Sequence, residues 1–91
     1  MIHITSARMK LFGCPAIWIG KTEAGHIVYC RYRWGHLSVR YSTEPNPDHD
    51  GAGGASIAEV NHGDPFDGFL NYYELRTITK GLIEWPSEFE S

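Results

Sequence analysis

The stretch that decides the fold is HIVYCRYRWGHLSVRY, residues 26–41, which predicts a β-hairpin with two chemically different faces. Successive residues of a strand point to opposite sides of the sheet, so alternate positions share a face. One face is apolar and receives Val28, Cys30, Tyr32, Trp34, Leu37, Val39 and Tyr41. The other face is rich in arginine and receives Ile27, Tyr29, Arg31, Arg33, Ser38, Arg40 and Ser42. The hairpin therefore has a core face and a basic outer face.

The turn of this hairpin is predicted at Gly35 and His36. Glycine at the first central position is what a type II′ turn requires. The register that follows pairs Trp34 with Leu37, Tyr32 with Val39, Cys30 with Tyr41 and Arg31 with Arg40. Like charges directly opposite each other are unfavourable, so the last pair predicts an acidic group above it.

The flanking segments predict an α+β domain in which a small antiparallel sheet carries one C-terminal helix. A three-residue loop, Glu23–Gly25, joins strand Ala16–Thr22 to strand His26–Trp34 and places Trp18 on the core face. A four-residue loop would reverse that assignment. Leu37–Ser42 completes a three-stranded meander. Further elements are an N-terminal strand at Ile2–Ile4, a short helical turn from an N-cap at Ser6 to Gly13, and a short strand at Ile57–Val60.

The helix has the clearest boundaries in the sequence. Asn71 is an N-cap residue, and Glu74, three residues later, completes a capping box. Gly81 stands where a C′ glycine is expected. The helix is therefore predicted over Tyr72–Lys80, with Leu75 on its buried side.

Length and composition predict one domain spanning residues 1–91. No apolar run approaches the 18 or so residues of a transmembrane helix, and the first residues lack the apolar core of a secretion signal, so a cytoplasmic location is expected. Cys14 and Cys30 are too far offset on their strands for a disulfide and are expected to be reduced and buried.

The net charge of −3 is divided unevenly along the chain. Residues 1–43 contain six lysines and arginines and one acid, whereas residues 44–91 contain two and ten. Either the acidic half, through Glu84, Glu88 or Glu90, covers the basic sheet face, or that face is presented to a partner. Nucleic acid is not expected as a direct ligand, because its binders are normally basic overall.

Loop chemistry suggests no metal centre or cofactor. Residues 43–56 form a Gly/Pro/Asp-rich loop, expected to be flexible, whose Asp48, His49 and Asp50 make a secondary acidic site. They match the first half of a calcium loop, but Ile57 stands where the bidentate glutamate should be. The five histidines lack zinc-like spacing, although His49 and His62 could meet loop aspartates. Residues 87–91 are expected to be a frayed acidic tail.

Catalysis is not expected, because no nucleophile lies on an identifiable sharp turn and a small sheet leaves little concave volume. The favoured function is a non-catalytic protein-binding module, since arginine and tyrosine are the residues that anchor interfaces. Its predicted surface is Tyr29, Arg31, Arg33, Arg40 and Trp18. Small acidic proteins of this type include inhibitors and accessory factors of larger complexes, such as phage-type inhibitors of host defence nucleases; only size and composition point there.

Two alternatives belong to other classes. In a small anion- or nucleotide-binding protein, Arg31 and Arg40 would hold a phosphate while Tyr29 or Trp18 stacks nearby. In a self-associating structural domain, the apolar residues of the outer face would be buried in a homo-oligomer.

Overall fold

The computed structural model describes residues 1–11, 15–43, 54–63 and 69–90. Within these ranges the chain forms seven strands and one helix. In order they are β1 (Ile2–His3), β2 (Ser6–Leu11), β3 (Ala16–Lys21), β4 (Ile27–Arg33), β5 (His36–Ser42), β6 (Ala55–Asn61), α1 (Tyr72–Ile78) and β7 (Ile83–Glu84). No helix in this part of the chain has the length and apolarity needed to cross a membrane.

The main sheet is a five-stranded antiparallel meander with the order β2-β3-β4-β5-β6. A second sheet pairs β1 with β7 in parallel. The α+β class is thus correct, but the sheet is larger than predicted and the helix is only seven residues long.

The prediction of a helical turn starting at Ser6 is wrong, because this segment is strand β2. Its residues alternate in the manner of a strand: Ala7 is buried and Met9 packs against the core, whereas Arg8 is exposed. Ala7 lies opposite Gly20. A Cβ atom on Gly20 would lie 2.8 Å from the ring of Trp85, so this close approach requires glycine.

The core lies on one face of the main sheet, beneath α1 and the β1–β7 pair. Trp18 is at its centre, with 1% of its surface exposed, and its indole Nε1 donates to the carbonyl oxygen of Leu70 at 2.8 Å. The indole Nε1 of Trp85 donates to Thr79 Oγ1, also at 2.8 Å. These bonds satisfy the polar atoms of two large rings inside an apolar core.

The predicted start of the helix is confirmed. The side chain of Asn71 accepts a hydrogen bond from the Glu74 amide at 2.7 Å, and the Asn71 amide donates to Glu74 Oε1 at 3.4 Å. The helix ends at Ile78, two residues earlier than predicted. The Lys80 amide donates to the Thr77 carbonyl, three residues back, so the four-residue helical pattern stops here. Gly81 follows with a φ of +94°.

The two hairpins differ in how well their turns were predicted. The Glu23–Gly25 loop is confirmed, since the Thr22 amide donates to the His26 carbonyl at 2.9 Å and Gly25 has a φ of 85°. Trp18 accordingly faces the core, and the four-residue alternative is excluded.

The register predicted for β4 and β5 is wrong by two residues. The turn consists of Trp34 and Gly35, with φ angles of 54° and 71°. Positive φ at both central residues is the type I′ pattern, whose twist suits a hairpin. A shift of two keeps every strand residue on its predicted face but changes its partner. The observed pairs include Tyr32 with Leu37, Cys30 with Val39, Arg31 with Ser38 and Tyr29 with Arg40.

Several predictions fall on other parts of the chain. Cys14, Asp48, His49, Asp50 and Asp64 lie outside the described residues, as does most of the predicted 43–56 loop; Ala55 and Ser56 belong to β6. In the predicted 87–91 tail, the Glu90 amide donates to the Ala7 carbonyl at 2.7 Å, and Ser91 lies outside the described residues.

Candidate functional site

The outer face of the main sheet is organised in rows that run across the strands. The central row places an apolar pair, Ile19 and Tyr29, between two arginines, Arg8 and Arg40. In order from β2 to β6, the rows are Ser6–Lys21–Ile27–Ser42, Arg8–Ile19–Tyr29–Arg40–Ser56, Leu11–Ile17–Arg31–Ser38–Glu59 and Arg33–His36–Asn61.

Four residues at the centre of this face form an outer cluster: Ile17, Ile19, Ile27 and Tyr29. Their exposed fractions are 8%, 2%, 4% and 8%, so the cluster is already buried within a single chain. The sequence predicted which side these residues occupy. It did not predict their burial, and Tyr29 is consequently not an exposed contact residue.

The cations around the outer cluster are exposed. Arg31, Arg33 and Arg40 all lie at the surface. Arg40 Nη1 donates to the Gly54 carbonyl oxygen at 3.2 Å, and the Arg33 guanidinium carbon lies 5.4 Å from the centroid of the Trp34 ring. Such contacts orient the two side chains without neutralising their charge.

Within the described ranges, every salt bridge joins a histidine to a glutamate. The three pairs are His3–Glu84 at 3.2 Å, His36–Glu59 at 3.3 Å and His62–Glu74 at 3.1 Å. Arg31, Arg33 and Arg40 take part in none of them. The predicted cover of Glu84, Glu88 or Glu90 over the arginines is therefore absent from this part of the chain.

Two predicted features of the site need correction. Trp18 cannot belong to an outer binding surface, because its ring lies in the core on the opposite side of the sheet. Arg31 and Arg40 are not directly opposite each other but diagonal, which separates cross-strand Cβ atoms by about 7–8 Å and relieves the predicted repulsion.

Arg8 and Lys21 extend the basic face and were missed by the sequence analysis. Arg8 was assigned to a helical turn, although the period-two alternation of SARMKL, residues 6–11, could have identified the strand. Both residues are exposed and lie in adjacent rows of the outer face.

His36 lies at one corner of the outer face with an acceptor at each ring nitrogen. Nδ1 is 3.0 Å from Asn61 Oδ1, and Nε2 is 3.3 Å from Glu59 Oε1. The hydrogen bond to Asn61 first, and then the bond to Glu59, raises the pKa of His36 above its ordinary value.

Reactive chemistry finds little support in the described residues. Cys30 is buried, and desolvation raises the pKa of its thiol, which keeps it protonated and poorly nucleophilic. No group of three or more histidine, cysteine or acidic side chains in the described ranges could hold a metal ion. A groove of about 350 Å³ lies beside α1, lined in part by Tyr73, Arg76 and Lys80.

Comparison of the chain with protein-family models, curated proteins and solved structures finds no match.

Proposed function

We propose that the protein is a non-catalytic module that binds an acidic surface of a protein partner through its basic outer face. Arg31, Arg33 and Arg40 make the contact, with Arg8 and Lys21 extending the positive field. The observation that carries this proposal is the set of exposed guanidinium groups on one sheet face, with no carboxylate paired to them among the described residues.

The physical basis is the chemistry of arginine at interfaces. A guanidinium can donate two parallel hydrogen bonds to a carboxylate, which gives geometric specificity as well as attraction. The buried outer cluster supports the strands from which the arginines project, so these side chains are presented from a rigid sheet. A rigid presentation reduces the entropy lost on binding.

The two alternatives lose some of their support. The two rings predicted to stack beside a phosphate are inaccessible, because Trp18 is in the core and Tyr29 is buried. Self-association was motivated by apolar residues on the outer face, and these are already covered within one chain.

The test compares two double variants of equal charge. Arg31→Gln/Arg40→Gln removes two cations from the outer face, and Arg76→Gln/Lys80→Gln removes two cations beside α1. The probe is a poly-L-glutamate peptide, measured by titration at low and physiological salt. We expect the outer-face variant to bind several-fold to about 100-fold more weakly and the helix variant to bind nearly as the wild type.

The same experiment can overturn the proposal. Equal weakening in both variants would mean that net charge alone attracts the probe. Inorganic phosphate or ATP that binds more tightly than the peptide, in an Arg31- and Arg40-dependent way, would favour the anion-binding alternative. Unfolding free energies of both variants should stay within about 0.5 kcal/mol of the wild type, because these are exposed positions.

A further inference from the structure

The segment Ser87–Glu90 lies along the outer edge of β2. The Glu90 amide donates to the Ala7 carbonyl at 2.7 Å, and Glu90 forms a parallel bridge with Arg8. The ring of Phe89 meets two aromatic rings of the core, with centroids 4.9 Å from Trp18 and 4.9 Å from Tyr72. The segment thus adds one parallel bridge to the sheet edge and anchors it with one side chain.

This attachment is slight. Phe89 remains 44% exposed, and Ser87, Glu88 and Glu90 are exposed as well. A crevice of about 50 Å³ remains where Glu90 meets Arg8, Ile19 and Lys21. A segment held by one isolated β-bridge and by the ring of one half-exposed phenylalanine opens at low cost.

The charges along the edge of β2 are complementary to those of the Ser87–Glu90 segment. β2 contributes a sheet edge with the exposed cations Arg8 and Lys10, and the segment contributes Glu88 and Glu90 on either side of its phenylalanine. Trp18 and Tyr72 offer an aromatic anchor point for the phenylalanine. An extended strand added to a sheet edge gains its affinity from backbone hydrogen bonds and its specificity from the side-chain site.

We infer that the edge of β2 is a docking site for a partner segment of this same chemistry, an extended Glu-Phe-Glu sequence running parallel to β2. The chain's own Ser87–Glu90 segment occupies this docking site until the partner displaces it. The site uses the sheet edge and an aromatic pair; it shares Arg8 with the basic outer face but does not include Arg31, Arg33 or Arg40.

The closing experiment uses the full-length chain and the synthetic peptide PSEFES, which repeats residues 86–91. Binding is followed by amide chemical shifts of the ¹⁵N-labelled protein. The tethered segment competes at a millimolar effective concentration, so Phe89→Ala, which weakens that competitor, should bind the peptide about tenfold more tightly than the wild type. The shifts should concentrate at Ala7, Arg8 and Met9 of β2.

Matched controls distinguish binding at the β2 docking site from nonspecific binding. The peptide PSEAES should not bind. The variant Tyr73→Ala removes a 76% exposed aromatic side chain outside the β2 docking site. It should bind PSEFES with the affinity of the wild type. Glu90→Pro, which deletes the N–H donor but keeps Phe89, should also increase binding and serves if Phe89→Ala fails to fold.

Three results would overturn the inference. They are equal binding of PSEFES to the wild type and to both segment variants, binding of PSEAES as tight as that of PSEFES, and a wild-type dimer that Phe89→Ala converts to monomer. The last result would identify the occupant as the segment of a second copy.

Discussion

The imidazole Nε2 of His62 lies 3.1 Å from Glu74 Oε2, so this histidine shares the carboxylate that completes the helix capping box. The backbone carbonyl of His62 also accepts a hydrogen bond from the Tyr32 hydroxyl at 2.5 Å. One residue after β6 is therefore bonded both to β4 and to the first turn of α1. The helix is held in place by these polar contacts as well as by the burial of Leu75.

This arrangement predicts graded losses of stability. Glu74→Ala removes both the capping contact and the His62 contact and should lower the free energy of unfolding by about 1–1.5 kcal/mol. His62→Ala removes one partly exposed contact and should cost about 0.5 kcal/mol. Urea denaturation measures both, with the exposed Glu88→Ala as control. A His62→Ala variant as damaging as Glu74→Ala would contradict the shared-carboxylate arrangement.

The Trp34–Gly35 turn predicts a stabilising substitution. Trp34 has a φ of 54°, a left-handed conformation that asparagine tolerates better than bulky residues. Relief of about 1–2 kcal/mol of backbone strain should exceed the loss of the Arg33 contact to the ring, worth about 0.5–1 kcal/mol. Trp34→Asn should therefore raise the melting temperature, whereas Trp34→Phe should leave it nearly unchanged. A large drop for Trp34→Asn would instead place Trp34 in the core.

The faces of this hairpin could be predicted from the sequence, but its partners could not. Arg31 and Leu37 were assigned to the correct sides because a two-residue slip preserves the alternation. The sequence Trp34-Gly35-His36 allows two turns, one centred on Trp34 and Gly35 and the other on Gly35 and His36. The choice between them depends on the twist of the two strands and on where the Trp34 ring can be accommodated. The local sequence determines neither the strand twist nor the space for the ring.

In the candidate site, too, the side of the sheet that a residue occupies could be predicted from the sequence, but its burial could not. The outward direction of Ile17, Ile19 and Ile27 follows from strand periodicity and from the confirmed Glu23–Gly25 loop. Their burial depends on tertiary packing, which periodicity does not report. Thr79 was likewise missed, because a buried threonine in a helix end becomes recognisable only once its hydroxyl is seen to join Leu75 and Trp85.

Core and outer positions of the hairpin should respond oppositely to truncation. Tyr32 and Val39 are fully buried on the core face, so replacing either by alanine should cost about 2–5 kcal/mol of unfolding free energy. Ser38 lies on the outer face between Arg31 and Glu59, and Ser38→Ala should be nearly neutral. Chemical denaturation that showed Ser38→Ala as the damaging change would reverse the assignment of the two faces.

His36 gives the protein a pH dependence whose sign follows from its geometry. Acceptors face both ring nitrogens, and only the protonated imidazolium can donate to Asn61 and Glu59 together. Its folded-state pKa therefore lies above the ordinary 6.5. Its stabilising contribution is fully present below about pH 6.5 and is lost as the pH rises through the folded-state pKa.

The measurement is an NMR titration of the His36 ring together with denaturation at about pH 5.5 and pH 8. Asn61→Ala and Glu59→Gln should each move the pKa of His36 back toward its ordinary value, because the first removes an acceptor and the second removes the negative charge of the carboxylate. His36→Gln should be less stable than the wild type at the lower pH and nearly equal to it at the higher pH. A folded-state pKa at or below the ordinary value would show that the imidazolium is not held by these two acceptors.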